Sequence, residues 1–154
     1  MNGSFDAGPL ARLLSNGINP LLFLLLVAAP LLDRRRRNQP AQELRTRRWI
    51  AASVVGIAMT VVLAELGKHF QVWTGHPEFP SGHGSFAAAA TAALIARDWR
   101  WALVAVPLAL TIGWALVGAG YHEPIEVIGG MALGSVVTGG IVGVSERAVS
   151  ASTA

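Results

Sequence analysis

Cysteine is absent from this chain, which excludes disulfides and every zinc or redox site built on thiolates. Charge is scarce too: 14% of the 154 residues are Asp, Glu, Lys or Arg, while 53% are hydrophobic. Soluble domains carry about 25% charged residues, so a water-soluble globule is excluded. Solenoid repeats are lacking, as are low-complexity linkers beyond short tails. The net charge of +3 does not point to nucleic acid, because seven arginines fall between Arg34 and Arg48. One basic loop between apolar runs is a topology signal.

What remains is a set of long apolar segments punctuated by short polar ones. They predict an all-α, polytopic helical bundle in a single integral membrane domain, residues 1–154. About five transmembrane helices are expected, near 10–32, 49–67, 82–97, 101–119 and 124–144. The first segment has Asp6 before it and Arg34-Arg35-Arg36-Arg37 after it. That is the reverse of a cleaved signal peptide, and it predicts an anchor with the N-terminus outside. Ten of the twelve basic residues then fall on the inner side, as the positive-inside bias requires. Trp49, Trp99 and Trp101 fall at the inner interface and Trp73 at the outer one, an aromatic belt. The last span holds Gly130-x3-Gly134 and Ser135-x3-Gly139, and the third a run of alanines. Small residues at that spacing let helices approach closely in lipid. Core packing is the expected use, with a homo-oligomer face as the alternative.

Chemistry concentrates in Gly75 to Ala90. Pro80-Ser81-Gly82-His83 leads straight into a small, apolar helix. A helix start presents free N–H groups and the positive end of the macrodipole to an anion. Gly82 admits close backbone approach, Ser81 can donate a hydroxyl, and His83 is an acid or base near neutral pH. Together they suit a phosphate-sized anion; the plainer alternative is an N-cap serine followed by a surface histidine.

All four histidines, His69, His76, His83 and His122, sit at the outer ends of helices in this topology. His122 precedes Pro124, which fits a first helical position, and Glu126 lies four residues on. Both can meet on one helical face. A carboxylate on one imidazole nitrogen fixes the tautomer and frees the other nitrogen to attack. His83 on a neighbouring helix can then protonate a leaving oxygen. A structural ion pair at the membrane surface is the alternative for His122 and Glu126.

On these residues the chain resembles the type 2 phosphatidic acid phosphatase superfamily, over roughly Lys68 to Gly134. The family's Pro-Ser-Gly-His motif is intact as Pro80-Ser81-Gly82-His83. Its Ser-Arg-x5-His-x3-Asp motif appears as Ala115-Leu116-x5-His122-x3-Glu126, and its Lys-x6-Arg-Pro motif is matched loosely by Lys68, His69 and His76-Pro77. The resemblance implies a phosphohistidine mechanism with His122 as nucleophile, Glu126 as its orienting carboxylate and His83 as general acid. Lys68, His76, Ser81 and Gly82 would hold the phosphate. It implies no cofactor and no metal, a membrane lipid phosphate as substrate, and hydrolysis of a polyprenyl or glycerolipid monoester or diphosphate at the outer face of the plasma membrane. His76 and Leu116 stand where the family has arginines, and neither reproduces a guanidinium's paired bonds to phosphate.

Two other readings are carried forward. One is a catalytically degenerate member that binds lipid or joins a membrane complex. The other takes His76, His83, His122 and Glu126 as ligands of a divalent ion. Glu65, the only acid within the second span, is expected to pair with Lys68.

Overall fold

The computed structural model describes residues 8–32 and 40–152. The arginine run at 34–37 and the polar residues 1–7 lie outside the described residues. Five helices follow in order: α1 (Gly8–Leu32), α2 (Pro40–His69), α3 (Gly82–Arg97), α4 (Ala102–Gly118) and α5 (Pro124–Ser152). A 3₁₀ turn at Trp99–Trp101 joins α3 to α4, and no strand occurs among the described residues.

Four helical segments are long and apolar enough to cross a bilayer: α1, α2, α5, and α4 with its preceding turn. The expected third span differs. With 16 residues, α3 is about 24 Å long at 1.5 Å per residue, short of the ~30 Å hydrocarbon core. It forms the centre instead, packing on α1, α2, α4 and α5. Ala87, Ala89, Ala90, Ala93 and Leu94 are fully buried there. Large side chains such as Leu13, Leu103 and Val136 point outward. That inversion, small inside and large outside, is what lipid as solvent favours.

The glycines of α5 explain how α3 fits. A Cβ on Gly134 would lie 2.1 Å from the Ser85 carbonyl oxygen, and one on Gly130 would lie 2.4 Å from that of Ser81. The small-residue stripe is therefore the α3–α5 contact. Nearby, Thr60 of α2 and Thr138 of α5 bond through their hydroxyls at 3.1 Å inside the bundle.

Helix boundaries move outward at the end opposite the histidines. α2 begins well before residue 49, supported by an i,i+4 pair of Glu43 with Arg47 at 2.7 Å. α5 continues past residue 144, where Arg45 holds Glu146 at 2.7 Å. Trp49 is corrected from its expected place in an interfacial belt. It is 2% exposed, its indole N–H donates to the Ala93 carbonyl at 2.9 Å, and the Arg97 guanidinium lies over its ring. A buried acceptor at the end of α3 outweighs the interface for this indole. Trp99 and Trp73 are exposed.

Candidate active site

The site is assembled by three chain reversals at one end of the bundle. The first closes α2. Gln71 takes a left-handed φ of 46°. The amide of Val72 reaches the Gly67 carbonyl at 3.1 Å, and that of Gln71 reaches the Lys68 carbonyl at 3.0 Å. This double closure is a Schellman motif. It fixes Lys68 in the last turn, where its Nζ lies 2.9 Å from Glu65 Oε1 and 3.9 Å from Glu78 Oε2. The expected Glu65–Lys68 pair is present.

The second reversal starts α3. Ser81 is the N-cap: its hydroxyl oxygen accepts from the Gly84 amide at 3.3 Å, and its own amide donates to the Glu126 carbonyl at 2.9 Å. The amides of Gly82 and His83 stay outside the helical ladder. A Cβ on Gly82 would lie 3.3 Å from Glu65 Oε1 and 3.4 Å from Lys68 Nζ, so the end of the Glu65–Lys68 pair stands beside the start of α3.

The third reversal joins α4 to α5. Gly120 takes a left-handed φ of 74°; its amide bonds the Val117 carbonyl and that of Tyr121 the Leu116 carbonyl, both at 3.0 Å. This is a second Schellman closure, and His122 emerges directly from it. Pro124 is the first residue of α5. Glu126 turns back so that Oε2 accepts from the Glu123 amide at 3.1 Å, half of a capping box. The same oxygen lies 3.1 Å from His122 Nδ1. A carboxylate accepts only, so Nδ1 is the donor, and in the neutral ring the lone pair is on Nε2. Both side chains are buried, at 8% and 5% exposure, so this pair is well shielded from water.

Two clefts open over these reversals, and His83 lines both. One, of about 230 Å³, brings His83 and His122 together with Leu116, Tyr121, Ser15 and Asn16. The other, of about 220 Å³, joins His83 to Lys68, Gly82, Glu65, Asn19 and Val61. His83 is thus the residue the two clefts share, with His122 in one and Lys68 in the other.

Not every expected residue reaches it. His122, His83, Lys68 and Gly82 line the clefts, and Glu126 backs His122. Ser81 is fully buried, its hydroxyl engaged as the cap. His76 lies outside both linings; its Nδ1 is 3.2 Å from Glu123 Oε2, an ion-pair distance without hydrogen-bond alignment, and its ring meets Trp73 edge-on. At the end of α2, Lys68 lines a cleft, whereas His69 is exposed and packs on Phe70. Among the described residues no three His, Asp or Glu side chains converge as a metal cage.

Sequence reasoning missed α1. Ser15, Asn16 and Asn19 all line the clefts, and Asn19 Nδ2 donates to the His83 carbonyl at 3.4 Å. The signal was there: Arg12, Ser15, Asn16 and Asn19 follow an i, i+3, i+4, i+7 pattern on an otherwise apolar helix.

Further along the same helices lies an apolar groove of about 470 Å³, walled by Phe23 and Val27 of α1 and by Val54 and Ile57 of α2, with Phe86 of α3 also lining it. α1 packs on α3 and α4, whereas α2 packs on α3 and α5, so the two outer helices part over α3. Asn19 and Val61, which line the Lys68 cleft, lie one helical turn from the groove residues Phe23 and Ile57 along α1 and α2.

Residues 60–149 match the family model described as the PAP2 superfamily. No curated protein and no solved structure matches the chain.

Proposed function

This chain belongs to the PAP2 superfamily, and from that premise we propose that it is a membrane lipid phosphate phosphatase working through a phosphohistidine. The observation that carries the reading is one cleft shared by His83 and His122, with Nδ1 of His122 already bonded to Glu126. Nε2 of His122 attacks phosphorus, and the bond from phosphorus to the lipid oxygen breaks. His83 gives its proton to that departing oxygen. His83 then takes a proton from water, the resulting hydroxide attacks the phosphohistidine, and the N–P bond breaks to release phosphate. Glu126 holds the imidazole tautomer and stabilises the charge His122 gains on attack.

The apolar groove between α1 and α2 supports a lipid as the carrier of that phosphate. It lies one helical turn from the Lys68 cleft along α1 and α2, so a polyprenyl or acyl tail can lie there with its headgroup at His83. The basic residues at the opposite end of the bundle, Arg45, Arg47, Arg48, Arg97 and Arg100, support an extracytoplasmic site at the plasma membrane.

The test is phosphate release from a panel of lipid mono- and diphosphates in detergent with chelator present, comparing the native protein with His122→Ala. Release by the native protein alone is expected; equal release by both removes His122 from the mechanism. A second reading has its own observation. Lys68 is engaged by two carboxylates and Leu116 lines the cleft where a cation would help. A lipid-binding member without turnover fits those facts. Lipid retention with no phosphate released over long incubation would select it.

A further inference from the structure

We propose that the polar face of α1 is the headgroup-binding wall of this site, with Asn16, Asn19 and Arg12 holding the phosphoryl oxygens of the bound lipid. The proposal rests on the phosphatase reading for the identity of the ligand, but its geometry stands independently. Polar side chains inside a spanning helix are costly in lipid and mark sites of function. Here they fall on one face, and Ser15, Asn16 and Asn19 of that face line the clefts. Asn16 lines the His83–His122 cleft. Asn19 lines the Lys68–His83 cleft.

Their bonding leaves capacity for a ligand. Ser15 Oγ donates to the Arg12 carbonyl at 2.9 Å, a local helix bond that satisfies it. Asn19 uses Nδ2 on the His83 carbonyl, yet its Oδ1 is buried and has no partner among the described residues. A buried acceptor without a donor is rare, and the P–OH of a phosphomonoester monoanion supplies one. Asn16 adds an amide with two donors. Arg12 lies one turn nearer the helix start, exposed and without an ion pair among the described residues. Its guanidinium can close over the mouth with two parallel bonds to phosphate. Across the His83–His122 cleft, Leu116 offers no donor, whereas Asn16 on α1 does.

The test uses the full chain in detergent, with Arg12→Gln, Asn16→Leu and Asn19→Leu, and with Asn16→Gln as the conservative variant. Two readouts are taken: KM and kcat on a long-chain phosphatidic acid in mixed micelles, and the orthovanadate concentration that half-protects against thermal unfolding. Each removal is expected to raise both KM and the vanadate midpoint about tenfold, with a smaller fall in kcat, and Asn16→Gln to recover part of the loss. Monodisperse elution on size exclusion confirms that each variant is folded. Unchanged KM and vanadate midpoint in all three removals overturns the proposal while leaving a phosphatase in place. Weakened vanadate protection in variants of a protein that releases no phosphate upholds the α1 wall and overturns turnover. A native protein that neither hydrolyses lipid phosphate nor responds to vanadate overturns both.

Discussion

Glu126 places one carboxylate oxygen 3.1 Å from His122 Nδ1 and 3.1 Å from the Glu123 amide. The same atom therefore finishes the first turn of α5 and sets the imidazole. Folding the helix start and orienting the proposed nucleophile are one event.

Glu126→Gln tests that coupling. A carboxamide can present N–H to the ring, which favours the tautomer with its proton on Nε2 and blocks attack. We expect kcat to fall about 10²- to 10⁴-fold, with KM nearly unchanged. The check is steady-state phosphate release with a matched thermal melt. A loss confined to stability would reduce Glu126 to a capping residue.

The two Schellman turns give opposite predictions. Gly120 already holds a positive φ of 74° at no steric cost, so Gly120→Ala should destabilise the protein by about 1 kcal/mol and lower activity by shifting His122. Gln71 holds φ 46° with a Cβ, so Gln71→Gly should stabilise by a similar amount. Thermal melts in one detergent read both signs.

Gly134→Ala probes the centre of the bundle. The added Cβ would lie 2.1 Å from the Ser85 carbonyl oxygen and 2.8 Å from the Ala89 amide nitrogen, backbone atoms that cannot swing aside. Overpacking of this kind costs about 1–3 kcal/mol. α3 must move away from α5, carrying His83 with it, so melting temperature and turnover should fall together.

The groove makes a prediction about chain length. Ala58 lines it, and Ala58→Trp would fill the path without touching the clefts. We expect KM to rise several-fold for long-tailed lipid phosphates and to stay level for a short-tailed, water-soluble one. Equal effects on both would separate the groove from substrate binding.

Much of this arrangement was legible in the sequence because it is local. Pro124 at a helix start and Glu126 four residues after His122 dictate their own meeting, and Ser81-Gly82 announces the start of α3. Lys68 was harder. Its turn closes on Gln71 rather than glycine, so no residue type marked where α2 ends. Trp49 was misplaced because an indole beside arginines reads as an interface anchor until a buried carbonyl is seen opposite it. The polar face of α1 went unread because a single apolar helix carries no statement of its neighbours. Its asparagines gain meaning only once α3 places His83 against them.

The most direct measurement of the central claim is to trap the covalent intermediate. The native protein is turned over with a lipid phosphate, quenched in base, where phosphohistidine survives, and mapped by peptide mass spectrometry. The account predicts one phosphoryl group on His122, absent in His122→Ala and accumulating in His83→Ala with an activated leaving group. Phosphate on His83, or turnover with neither histidine modified, would contradict it.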